Sequence, residues 1–384
     1  MKQQGLFLFS DMKIAFSQNP EDYSLFYPFT LLKKIEDLLC GIHTNRERWQ
    51  YFFEKGLGQP IHFVDAQDAD FVINPCLVPD MSLVNFFWKA KSTIEHQGKI
   101  LIQATHESKE KELYKSELLI LQDKMDIIVQ MKNLVERDVK MLSPVSTITT
   151  TITDPNTQIY APENCFAGKN VVTKNATLNA ENGPVFIGNN VHISEYSVIY
   201  GPAVILDNTR IGPHTSIRGG CVIGENCTVS GEMKNVLMLG NSNKGHFGYF
   251  GDSIVGEFCN IGAGTSTSNL KNNFHEVKIY NPLSDEMTGS GLKKVGSFIG
   301  HFSTTAVNTV LTAGTTIGVM CNVYGETHYP NYMKCFSWGL NKTYRSDVYK
   351  DTALALMESK KVSEETKNEV LSKLEAYYNK VIGD

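Results

Sequence analysis

Apolar positions in the middle of the chain recur every six residues. From Ile187 the series runs through Ile193, Ile199, Ile205, Ile211, Ile217 and Ile223 to Val229 without a slip. Neither a strand, with its period of two, nor a helix, with 3.6, keeps one aliphatic phase in this way. A small residue follows each aliphatic at a fixed offset: Val191, Ser197, Ala203, Thr209, Thr215, Cys221 and Cys227. The pattern predicts short strands that turn a corner every six residues, with one aliphatic side chain inward per strand and three strands to a coil. A single coil cannot bury its own apolar face, so stacked neighbours must supply the core. The same phase returns at Val255 and Ile261, and again at Ile299, Thr305, Leu311, Ile317 and Val323. Ile159, Cys165 and Val171 form a weaker first coil.

Outside the repeats the pattern changes. Gly5 to Phe9 reads as a short buried strand, Phe71 to Ile73 as another ending at Asn74-Pro75, and a helical segment ends near Gly41. Lys109 to Met141, rich in Lys, Glu, Leu and Met, reads as helix. Strands alternating with helices predict an α/β layer. Ser143 to Gln158 is dominated by Thr and Pro and reads as a linker. Beyond Gly325, the patch Phe336-Ser-Trp-Gly339 is suited to cover the open end of the stack. Ser363 caps a final helix with Glu364 and Glu365 in its first turn and a stripe of Val370, Leu374, Tyr377 and Val381. The expected organisation is an α/β domain over 1–142, a linker over 143–158, an all-β parallel β-helix over 159–330, and a capping segment with helices over 331–384.

A formal net charge of -5 argues against a nucleic-acid partner, which would call for a basic face. No run approaches the ~20 apolar residues of a membrane span. Asp11 and Lys13 break the apolar patch at the N-terminus, so no secretory signal is read there and a cytoplasmic location is expected. Cysteines 165, 221, 227, 259 and 321 fall in the repeats, where a thiol serves as a small apolar filler.

The repeat is disturbed between Glu232 and Asp252, where glycines at 240, 245, 248 and 251 allow irregular backbone around His246. Glu232, Lys234, Lys244 and Tyr249 lie near it in sequence. Arg218 precedes Lys234 by sixteen residues, close to the eighteen of one coil, so the two cations should be neighbours. Two cations beside a histidine suit a phosphorylated substrate and a proton acceptor. The histidines at 192, 214, 246 and 301 do not reproduce the spacing of a three-histidine zinc site, and no metal site is expected. The first strand is followed by Ser10-Asp11-Met12-Lys13, with no glycine-rich loop to cradle phosphates.

The run Ile211-Gly-Pro-His-Thr-Ser-Ile-Arg218, then Gly231-Glu-Met-Lys234, Lys244-Gly-His-Phe-Gly-Tyr-Phe-Gly-Asp252, Asn260-Ile-Gly-Ala-Gly-Thr265 and Ser268-Asn269 resembles the acetyltransferase half of the bifunctional GlmU-like enzymes. Those enzymes join an N-acetylglucosamine-1-phosphate uridylyltransferase to a glucosamine-1-phosphate acetyltransferase. Tyr27-Pro-Phe-Thr30, Arg46-Glu-Arg-Trp49 and Phe336-Ser-Trp-Gly339 are similar to a divergent bacterial branch with a short sugar-nucleotidyltransferase domain. The resemblance implies a left-handed β-helix, a homotrimer, and an acetyl-CoA-dependent N-acetyltransferase acting on a hexosamine 1-phosphate. It makes His246 the base and Glu232 the group that orients it. Arg218 and Lys234 would hold the sugar phosphate, with Tyr249, Asn260 and Asn269 at the substrate and Lys278 in a position some archaeal relatives also fill with lysine. The sequence departs from the family at His275, where a lysine is usual, and at His301, where a small polar residue helps bind coenzyme A. Two other readings stand beside this one: a sugar-1-phosphate nucleotidyltransferase, which alone would call for Mg2+, and a non-catalytic trimer that binds sugar phosphate or nucleotide sugar.

Overall fold

In the computed structural model the residues described are 12–105, 110–141, 152, 154–326 and 328–383. The chain divides into two compact units. The first comprises Met1–Tyr23, Ile35–Asp37 and His43–Gln122. Its six-stranded sheet has the order Ile61–Phe63, Met12–Phe16, Phe71–Ile73, Lys99–Ala104, Thr93–His96, Lys111–Leu113. Fully buried Ile14, Trp49, Phe53, Ile73 and Phe87 form its core. Helix Asn45–Tyr51 starts where Thr44 and Glu47 exchange hydrogen bonds in a capping box. Arg46 pairs with Asp37 and Glu36, and its guanidinium lies over the rings of Phe16 and Phe63, so the Arg46-Glu-Arg-Trp49 run packs this unit.

Two expectations shift here. The strand expected over Gly5 to Phe9 lies outside the described residues, as do Ser10 and Asp11; Met12 and Lys13, expected in the following loop, belong to strand Met12–Phe16. Lys109 to Met141 is not one helix. Lys111–Leu113 joins the sheet edge and the helix is confined to Lys124–Met141, because Asp123 accepts the first free amides, those of Met125 and Asp126.

The second unit comprises Ser24–Lys34, Leu38–Ile42 and Asp123–Asp384, so helix Lys124–Met141 and two short N-terminal segments pack with the repeats. The repeats form a parallel β-solenoid. Ile193 pairs with Ile211 and Ile211 with Val229 on one sheet, while Ile199 pairs with Ile217 on another. Every aliphatic of the series is fully buried, and so are the small residues between them. The inward hydroxyls are satisfied at the corners, where Ser197 and Thr215 donate to the Gly212 carbonyl and Thr209 to that of Gly224. Corner residues take left-handed backbone, often as asparagine: Asn170, Asn190, Asn208 and Asn226 all have φ between 56° and 57° or close to it, at 59° for Asn208. Their amides bond from coil to coil, Asn170 to Asn190 and Asn190 to Asn208.

The late positions Ile299, Thr305, Leu311, Ile317 and Val323 continue the inward row, and Cys165 and Val171 occupy it at the start. All eight cysteines are buried free thiols. At the far end Phe336 is fully buried against Tyr349, Tyr377 and Tyr378 of the helices Ser346–Ser359 and Glu364–Ile382. Ser363 caps the last helix by accepting from the Thr366 amide. Among the described residues no helix is long and apolar enough to cross a membrane.

Candidate active site

The disturbed stretch forms two long strands, Glu232–Met238 and Tyr249–Val255, joined through the short strand Asn243–Lys244 and a turn over 245–248. Register places the predicted cations side by side, since Arg218 pairs with Lys234. In the neighbouring outward row Ser216 pairs with Glu232, and Glu232 with Tyr249. Arg218 donates to Glu232 at 3.0 Å, across two half-exposed side chains. Lys234 makes no hydrogen bond or ion pair among the described residues.

Tyr249 leans over Gly251, where an added Cβ would collide with its hydroxyl and with the Asn269 amide. Burial raises the Tyr249 phenol above its ordinary value, the Asp252 and Glu232 carboxylates add to this, and Arg218 and Asn269 oppose it. These five side chains therefore share one electrostatic environment. Asp252, which sequence reasoning left without a role, ties the floor together by accepting from Asn235 at 2.8 Å and from Asn269 at 2.5 Å. Its signal was present in the sequence: Asn235, Asp252 and Asn269 are each seventeen residues apart, one shortened coil.

His246 sits exposed on the turn beside Phe247, which is 68% exposed. No hydrogen bond or ion pair reaches its ring among the described residues, and Glu232, expected to orient it, is turned to Arg218 instead. The turn itself is held from inside. Lys244 is only 1% exposed; it stands in the inward row as the register partner of Val229. Its ammonium donates to the carbonyls of His246 at 2.6 Å and Phe247 at 3.0 Å and lies 5.6 Å from the Phe250 ring centre. Burial pushes its pKa down to about 8. Gly248, at φ 132°, follows in a conformation that other residues rarely adopt.

The bacterial transferase hexapeptide (six repeats) family matches residues 184–219 and 202–231. A bifunctional sugar-1-phosphate nucleotidylyltransferase/acetyltransferase of Sulfurisphaera tokodaii is 34% identical over 96 residues, 25% of this chain and 23% of that protein. The bifunctional protein GlmU of Methanococcus aeolicus is 36% identical over 89 residues, 23% of this chain and 21% of the relative. That of Trichodesmium erythraeum is 34% identical over 97 residues, 25% and 17% respectively. The solenoid is a hexapeptide-repeat transferase domain, and its sequence is similar to that of the GlmU-like bifunctional proteins. The chain spans less than a quarter of the length of these relatives.

Within the hexapeptide transferase domain, two sequence-predicted site residues, Asn260 and Lys278, stand apart from the cluster, as does His301, where the sequence departs from the family. Asn260 is exposed on the ten-stranded sheet, next to Asn243, whereas Arg218, Lys234 and Tyr249 belong to the thirteen-stranded one. Lys278 is exposed on the hairpin of Lys278–Asn281 and Glu286–Gly289. His301 is 1% exposed; its Nδ1 accepts from the Glu257 amide and its Nε2 donates to the Phe29 carbonyl, both at 3.0 Å. Burial holds its pKa below the ordinary histidine value, which keeps the ring neutral as that bonding requires. Lys33 pairs with Glu257 at 2.6 Å beside it, so His301 clamps the Ser24–Lys34 segment to the solenoid.

Proposed function

We infer that the chain is an acetyl-CoA-dependent N-acetyltransferase acting on a hexosamine 1-phosphate, with the site completed in a homotrimer. The carrying observation is the register pairing of Arg218 with Lys234 on the strands where Glu232 pairs with Tyr249, the residue that follows the turn bearing His246. A sugar phosphate dianion would engage both cations. The Arg218–Glu232 pair offers little resistance, because an exposed ion pair is worth about 0–1 kcal/mol and a phosphate offers the guanidinium a bidentate partner. Release from Arg218 leaves the Glu232 carboxylate available to orient the His246 imidazole or the substrate amine. The amine nitrogen, losing its proton to His246, attacks the thioester carbonyl. A C–N bond forms, the C–S bond breaks, and coenzyme A leaves as the thiol once it is protonated.

The open face of the cluster and the separation of Asn260 and Lys278 from it support a site built between copies, in which these residues reach the cluster of a neighbouring subunit. The acyl donor must be held differently from the usual family arrangement at His301, since that ring is buried and committed to the Phe29 carbonyl. The test is release of coenzyme A thiol by the full chain from acetyl-CoA with glucosamine 1-phosphate, alongside light scattering. Turnover on the order of 1 per second or more by a trimer is expected, and a monomer with no release above hydrolysis contradicts the reading.

A further inference from the structure

Away from the cluster, helix Lys124–Met141 begins on a buried lysine. Lys124 is only 2% exposed, yet its ammonium has no hydrogen bond or ion pair among the described residues. Its contact is the ring of Phe298, whose centre lies 5.2 Å away. Burial pushes its pKa down to about 8, which leaves it charged at neutral pH. A buried cation without an acceptor is costly, and the start of a helix is the wrong end for one, because the free amides there already present positive charge. Lys124 lines a cavity of about 200 Å³ whose residues all belong to the second unit. Asp123, the one acid among the lining residues, gives its Oδ1 to the Met125 and Asp126 amides and makes no ion pair with Lys124. The opposite wall is the hairpin of Lys278–Asn281 and Glu286–Gly289. Ile279 pairs with Thr288 there, so strand alternation puts Asn281 and Thr288 on one face. Asn281 accepts from the Leu283 amide through Oδ1, while its own amide nitrogen and the Thr288 hydroxyl donate to nothing among the described residues. Ser290 differs, since its hydroxyl is committed to the Val277 and Leu292 carbonyls.

We propose that this cavity binds a phosphate group, with the Lys124 ammonium as its counter-charge and Asn281 and Thr288 as hydrogen-bond donors from the hairpin. An oxyanion supplies the acceptor that the ammonium lacks, and the helix start favours the same sign of charge. Size narrows the ligand, because a cavity of about 150 Å³ holds a benzene, so this one takes a phosphate with a few further atoms and excludes a nucleotide. Free orthophosphate and a small phosphate ester carry this chemistry equally. The site shares no residue with the Arg218 and Lys234 cluster and does not depend on acetyl transfer.

Calorimetry and melting curves with orthophosphate test this on the full chain carrying Arg218→Ala, so that phosphate at the acetyl-transfer cluster contributes little to the signal. Orthophosphate should bind and raise the melting temperature. Lys124→Met in the same background should weaken that binding at least about tenfold and abolish the rise, the loss of one charge-assisted hydrogen bond accounting for a factor of that order. Asn281→Ala and Thr288→Val should each weaken it by a smaller factor, and they decide the matter if the Lys124 variant does not fold. Glycerol 3-phosphate sorts the two sources: binding as tight as that of orthophosphate assigns a phosphate ester, and much weaker binding assigns the free anion. No binding of either probe, or binding unchanged by Lys124→Met, would overturn the proposal. So would binding unchanged by both hairpin variants.

Discussion

The coils from Val185 to Val229 and the coil that follows use the same scaffold for opposite ends. In the first, every sixth inward position is an aliphatic with no exposed surface, and the hydroxyls of Ser197, Thr209 and Thr215 between them each find a corner carbonyl. In the second, the inward row that runs Ile193, Ile211, Val229 receives Lys244 instead. A lysine there costs desolvation, and its return is local: two charge-assisted hydrogen bonds that fix the carbonyls of the turn bearing His246. Regular coils spend their side chains on burial, whereas the irregular coil gives up an aliphatic to hold one exposed side chain in place.

If that contrast is sound, mutations in the two regions should separate stability from chemistry. Ile211→Ala in a regular coil should cost about 2–5 kcal/mol of stability, read by denaturant unfolding, and leave activity per folded molecule unchanged. Lys244→Met should do the reverse. A methionine fills the same space without a buried charge, so the melting temperature should hold or rise while acetyl transfer drops about 10- to 100-fold through a loosened turn. Equal losses of stability for the two variants would erase the distinction. Arg218→Ala should raise the apparent KM for the sugar phosphate about tenfold with a smaller change in kcat, as expected when a phosphate contact is removed.

The smallest effect is on pH dependence. Burial pushes the thiols of Cys165, Cys221, Cys227 and Cys259 up to about 12 from an ordinary 9.0. Their contribution to stability is complete below pH 9 and is lost as pH rises from there through 12, because only the unfolded thiols ionise early. Lys244 has the opposite sign. Its folded pKa, about 8, lies below the ordinary 10.5, so the unfolded state holds more protons between those values and the lysine's contribution improves as pH rises across them. Melting temperatures should therefore fall above pH 9, with wild type gaining on Lys244→Met between pH 8 and 9. Parallel curves for the two proteins would contradict the burial of a charged Lys244.

The solenoid was legible because burial repeats: one inward residue per strand writes a six-residue period that no other element keeps. The pairing of Arg218 with Lys234 was legible for the same reason, their separation being close to one coil. Glu232 was harder. Its place in the chain says only that it is near Lys234, while its partner is set by a neighbouring strand, where Arg218 comes within reach. His301 could not be read locally either, since the carbonyl that engages it lies 272 residues away at Phe29. The charged stretch after Lys109 has the composition of a helix, and only the Asp123 cap marks where the helix begins.

The central claim is that the irregular coil carries acetyl transfer through His246. It is tested most directly by measuring acetyl transfer to glucosamine 1-phosphate and the melting temperature on the same preparations of wild type and His246→Ala. Loss of a general base is expected to slow transfer by about 10²- to 10⁴-fold. The melting temperature should not move, because the ring is exposed and bonded to nothing among the described residues. Full activity in folded His246→Ala protein would contradict the account and place the chemistry elsewhere.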